Sequence, residues 1–176
     1  WTLYLLSRYP EWQDRVAEEA RALPDDPGPG DVARLGLTRD VFREALRLYP
    51  PVPMMVREAR TAETFRKRPV CSGAQVVISP WHLHRHQRLW ENPDGFDPGR
   101  WKTENGKTCQ RQAYIPFSAG ARVCPGAGFA MMEGPLLLAL LLRGYRFERM
   151  AGADPVPVAF LTVRSRDGIW LRASER

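Results

Sequence analysis

Cys124 lies in FSAGARVCPG, residues 117–126, among small residues and closed by Pro125 and Gly126, with Arg122 two residues ahead of it. A thiolate persists near neutral pH when backbone N–H groups face the sulfur and a helix starts beside it, because the helix N-terminus adds positive potential. The residues after Cys124 read as such a helix. Pro125 suits its first position, where it leaves no N–H unpaired, and Gly120 and Gly126 let the backbone pass close to a large flat ligand. Taken alone, a free cysteine is more commonly a small buried hydrophobe.

Cys124 does not stand alone. Phe117, Gly120, Arg122, Cys124 and Gly126 fill all five fixed positions of F-x-x-G-x-R-x-C-x-G, and the loop resembles the haem-binding loop of the cytochrome P-450 family. Glu44 and Arg47 in EALR look like that family's E-x-x-R helix motif. DPGRW, with Pro98, Arg100 and Trp101, looks like its following loop motif, with Gly99 where a glutamate is usual. Residues three apart share a helix face, so Glu44 and Arg47 can pair; on a surface such a pair contributes little. The resemblance implies instead a buried network of Glu44, Arg47 and Arg100 that holds the haem-side core together, with a loop loosened at Gly99.

The resemblance also implies that Cys124 is the axial iron ligand of a haem, and that Arg57 and Arg122 pair with its propionates. A guanidinium fork matches a carboxylate well. Met54 and Met55 in VPMMV look like the segment bordering the substrate pocket, although methionines also fill irregular cores. His82, His84 and His86 would share one face if WHLHRH were a strand, and three imidazoles on one face can ligate zinc. The resemblance places them at a strand end and helix start, where a His-Arg pair is usual and no metal binds.

Several elements must position these residues. Residues 1–20 read as helix from the outset, and LPDDPGPGD then breaks it with three prolines and two glycines. A second helical pattern covers residues 31–48, with Val41, Ala45 and Leu48 on one face, and YPP stops it. Sequence from Val56 onward is charged and turn-rich until Val76, Val77 and Ile78, which read as a buried strand. WENPDGFDPGRW has the composition of an ordered loop with aromatic anchors. Residues 127–142 are nearly all apolar, predicting a helix buried on most of its circumference and kinked at Pro135. The tail, with FLTV and IWLRA, predicts small β-hairpins.

The 176 residues, 44% hydrophobic, suffice for one core. A formal charge of +6 is spread along the chain without basic runs, which fits a solvated surface with one basic face for an acidic protein partner and argues against nucleic acid. Three cysteines without C-x-x-C spacing give neither a disulfide framework nor a zinc knuckle and point to a reducing compartment. The longest apolar run, residues 136–142, is far short of a membrane span.

The expected fold is mainly α with small β-sheets, the C-terminal portion of a single cytochrome P-450 domain over residues 1–176. The oxygen-activating central helix is expected upstream of Trp1, so no catalytic residue is assigned within this chain. The resemblance implies a haem-thiolate monooxygenase that takes electrons from a ferredoxin or flavoprotein reductase and, with O2, hydroxylates a small apolar substrate. The rivals are a peroxide-using peroxygenase, a peroxide isomerase of the same fold, and a fragment without activity that binds haem weakly. A cytoplasmic, soluble protein is expected, with an upstream membrane anchor left open.

Overall fold

The computed structural model describes residues 1–152 and 154–176. It is a mixed structure of helices and small antiparallel sheets, as the sequence predicts. The first apolar-periodic stretch is two helices, α1 (Thr2–Arg8) and α2 (Pro10–Arg21), where the sequence reads as one. Pro10 has no N–H to continue the first helix, so Tyr9 closes α1 by donating to the carbonyls of Leu5 and Leu6, and Pro10 opens α2. Part of the proline-rich linker forms a 3₁₀ turn, Pro29–Arg34, and α3 begins only at Gly36 (Gly36–Leu48), later than the expected start at Asp31. Its start is set by tertiary contact. Glu19 of α2 accepts hydrogen bonds from Leu37 N, Thr38 N and Thr38 Oγ1 at 2.6–2.8 Å, satisfying two of the free N–H groups of the first turn.

The charged stretch after Val56 holds strands that sequence reading missed. β1 (Met55–Glu58) pairs antiparallel with β4 (Gln75–Ile78) in the register Met55–Ile78 and Arg57–Val76. Between them, β2 (Glu63–Phe65) and β3 (Arg68–Val70) form a hairpin. The expected strand at Val76–Ile78 is present but not buried, since Val76 and Val77 are exposed on a two-stranded sheet. A short helix, α4 (Pro80–Leu83), then leads to the aromatic loop, in which Trp90, Phe96 and Trp101 are buried as anticipated. α5 (Glu104–Gln112) follows.

α6 (Ala127–Gly144) runs unbroken through Pro135. It packs on α2 and α3, with Leu138 and Leu142 in the core formed by Leu5, Leu6, Val16, Val41, Ala45 and Leu48. It is long and apolar enough by length and composition to cross a membrane, and the stripe of Leu138, Ala139 and Leu142 is buried within the described residues. Its burial is narrower than the sequence predicts: Phe129, Leu137, Leu140 and Leu141 are exposed, because α2 and α3 cover only one side. In the tail, β6 (Pro157–Ala159) and β7 (Val163–Ser165) make the expected hairpin, with Phe160 and Leu161 at its exposed tip. β5 (Tyr145–Arg149) instead pairs across it with β8 (Leu171–Glu175).

Gly106 fixes how α5 sits on the 3₁₀ turn Pro98–Lys102. A Cβ at that position would lie 1.9 Å from the backbone oxygen of Arg100. Gly106→Ala is therefore expected to lower stability by about 1–3 kcal/mol through overpacking, although alanine in a helix normally gains about 1 kcal/mol over glycine. Urea unfolding checks this, and a stabilised variant would contradict it.

Candidate functional site

Glu44, Arg47 and Arg100 form a closed network with 0%, 0% and 4% exposure. Arg47 grips the Glu44 carboxylate with both prongs of its fork, Nε to Oε2 at 3.0 Å and Nη2 to Oε1 at 2.8 Å. Arg100 Nε and the Asp97 N–H also donate to Oε1, at 2.9 and 3.1 Å. Two cations then face one anion, and the excess positive charge meets carbonyl oxygens. Arg47 donates to the carbonyls of His84, Pro93 and Gly95, and Arg100 to those of Glu91, Asn92 and Gly95. Each of the five N–H groups of Arg47 thus has an acceptor.

The loop is shaped to deliver those carbonyls. Asn92 takes a left-handed φ of +43°, and a Cβ at Gly95 would lie 2.2 Å from the Asn92 side chain, so the turn needs glycine there. The DPGRW segment is not slack at Gly99: its N–H donates to Asp97 Oδ1 at 2.8 Å inside the 3₁₀ turn.

His84 joins this network to the cysteine loop. Its Nδ1–H donates to the Arg47 carbonyl at 3.3 Å, and Nε2 accepts from the Ile115 N–H at 2.9 Å, two residues before Phe117. Accepting at Nε2 requires the neutral ring, with its proton on Nδ1. Burial, aided by the positive charge of Arg47 and Arg85, lowers its pKa to about 4, against the weaker opposing pull of the Arg47 carbonyl.

The loop itself is exposed from Ala119 to Gly126. The Cys124 N–H donates to Phe117 O at 2.9 Å, and Ala127 N–H to Cys124 O at 3.2 Å. Gly120, at φ +67°, supplies the left-handed residue the turn needs. Two expectations are corrected. α6 begins at Ala127 with Gly126 as its cap, so Pro125 lies in the preceding turn and not at the first helical position. Among the described residues no N–H reaches the Cys124 sulfur, because the turn sends these groups to the loop's own carbonyls.

Cys124, Arg57, Arg122, Phe117 and Ser118 line one cavity of about 380 Å³, together with Pro51, Val52, Met55 and Pro116. Arg57 reaches it from β1 and donates to Ser118 Oγ at 2.7 Å. The donor set fits a haem: an exposed sulfur for iron, apolar walls for a flat macrocycle, and two guanidinium groups for its carboxylates. Gly126 lies beside the sulfur, where a Cβ would stand 3.8 Å from it.

A sequence profile for cytochrome P450 matches residues 1–167. The chain belongs to the cytochrome P450 family. It is 38% identical to cytochrome P450 4A10 of Mus musculus over 177 residues, 97% of this chain and 34% of that protein. With cytochrome P450 4A11 of Homo sapiens it shares 38% over 178 residues, 98% of this chain and 34% of that protein. The protein LUTEIN DEFICIENT 5, chloroplastic, of Arabidopsis thaliana is 32% identical over 182 residues, 100% of this chain and 31% of that protein. The chain spans about a third of the length of the curated relatives it matches.

Other motif residues of this P450 chain are dispersed. Met55 faces the cysteine cavity, whereas Met54 lines a separate apolar cavity of about 200 Å³ with Trp81 and Val158. None of the three histidines lies in a strand: His82 is in α4 with Nδ1 2.8 Å from Ser79 Oγ, His84 caps that helix, and His86, beyond it, accepts at Nδ1 from Arg88 N–H. Sequence reading missed Ser118, the carbonyl cage of residues 91–95 and the bridging role of His84. The N-P-D-G turn composition was the available signal for the cage.

Because the folded pKa of His84 lies below the unfolded value near 6.5, its contribution to stability is complete above pH 6.5 and is lost as pH falls towards 4. The loss is about 3 kcal/mol at one pKa unit per 1.36 kcal/mol. Urea midpoints measured across that window should fall more steeply in the parent than in His84→Gln. Equal slopes would contradict the assignment.

Proposed function

We propose that the chain is the C-terminal portion of a haem-thiolate monooxygenase domain, with Cys124 as the iron ligand. The observation carrying this reading is the convergence of Cys124, Arg57, Arg122 and Phe117 on one apolar-walled cavity. When bound, haem supplies the iron at which O2 is activated and an oxygen atom is passed to substrate, helped by the electron push of a thiolate ligand.

The residues of the chain hold and shield this centre. Arg57 and Arg122 pair with the two carboxylates of the cofactor from opposite elements, β1 and the cysteine loop. Phe117, which lines the cavity with Cys124, would give the macrocycle an apolar contact, Gly120 gives the loop its turn, and Gly126 keeps the space next to the sulfur free of a side chain. Glu44, Arg47 and Arg100 keep the wall behind the loop in place through His84 and Ile115. The exposed faces of α6 and β4 are covered by the remainder of the domain, which also carries the oxygen-activating residues and most of the substrate pocket. The substrate is a small apolar organic molecule.

Electrons come from a ferredoxin or flavoprotein reductase. A third cavity, of about 460 Å³ and lined by Arg39, Arg43, Gln110 and Phe117, adjoins the cysteine loop; Arg43 is paired with Asp40, so the exposed Arg39 is the charge it offers an acidic partner.

The full-length protein, reduced under carbon monoxide, is expected to show the red-shifted Soret band of a thiolate-ligated iron, and Cys124→Ser to abolish it. Haem incorporation without that band in the parent protein would refute the thiolate assignment.

A further inference from the structure

We propose that Ser118 is a positioning residue whose hydroxyl oxygen fixes the Arg57 guanidinium at the rim of the cysteine cavity, aimed at a carboxylate of the bound cofactor. The inference rests on the haem reading above.

The geometry is specific. Arg57 Nη2 donates to Ser118 Oγ at 2.7 Å, the contact that links its guanidinium to the cysteine loop. The other two contacts are local to β1: Nη1 with the Val56 carbonyl at 3.0 Å and Nη2 with Met55 Sδ at 3.6 Å. Ser118 stands at φ +65°, a left-handed conformation that glycine adopts freely, that asparagine tolerates, and that costs a serine energy. A glycine would relieve that strain but offers no oxygen to Arg57.

Strain and tether affect cofactor binding differently. Backbone strain at Ser118 is present with or without haem and cancels in its affinity. The tether does not cancel, because an arginine side chain loses rotamer freedom on pairing, and one already held beside its target loses less. Both residues line the cavity that holds Cys124, so the held guanidinium is presented to the same space as the sulfur.

The test uses the full-length, haem-loaded protein and compares Ser118→Gly, Ser118→Asn, Arg57→Ala and the Ser118→Gly/Arg57→Ala double variant. Haem loss is followed by transfer to apomyoglobin, and the carbon monoxide band is recorded for each. Ser118→Gly should lose haem about tenfold faster, the order of the rotamer freedom that one untethered arginine side chain gives up on pairing. Ser118→Asn, which keeps a side-chain acceptor in a tolerated left-handed conformation, should restore the parental rate. In the Arg57→Ala background Ser118→Gly should add nothing. An unchanged rate in Ser118→Gly, or the same acceleration without Arg57, overturns the proposal while intact thiolate bands leave the haem reading standing. A parent protein without the band overturns both.

Discussion

A carboxylate buried at Glu44 between two guanidinium groups is the constraint on which the rest of the structure depends. Burying one anion with two cations leaves an excess positive charge that a low-dielectric interior does not tolerate unpaired. Residues 91–95 answer it by turning four carbonyl oxygens inward, which dictates the left-handed Asn92 and the glycine at Gly95. Removing one partner of such a network costs about 3–5 kcal/mol, since the remaining charges stay buried. Its role here is positional as much as energetic. Arg47 holds the carbonyl of His84, His84 holds Ile115, and Ile115 leads into the cysteine loop.

Rigidity therefore lies behind the loop, and exposure lies in front of it. The loop from Ala119 to Gly126 has little packing of its own and takes its shape from internal backbone bonds and left-handed residues at Ser118 and Gly120. Exposed apolar residues cluster on α6, on the β1–β4 sheet and at the β6–β7 tip, with Phe65 and Trp170 exposed elsewhere. Under the proposed function these are contact faces for the remaining two thirds of the domain. Under the same proposal the exposed Arg39, beside the loop, belongs to the face that meets a redox partner.

What was legible in the sequence was whatever short-range spacing carries. Glu44 and Arg47 three apart on a helix, Arg100 after a proline turn, and the five fixed residues around Cys124 were all readable, and the structure brings the first three into one network and Phe117, Arg122 and Cys124 to one cavity. What could not be read depends on distant partners. β1 and β4 pair across a charged stretch with no alternating pattern, and α3 is capped by Glu19 from another helix. Apolar content predicted burial for α6 and β4, but burial needs a covering neighbour as well as an apolar face. The thiolate environment was likewise misjudged at Pro125, because the start of a helix is set by backbone geometry that sequence shows only to within a residue or two.

The central claim is that Cys124 ligates iron in the cavity it shares with Arg57 and Arg122. X-ray absorption at the iron edge of the full-length ferric protein tests it most directly. The account predicts one sulfur scatterer in the iron's coordination sphere that Cys124→Ala removes. A sphere without sulfur in the parent protein, or a sulfur that survives the substitution, would contradict it.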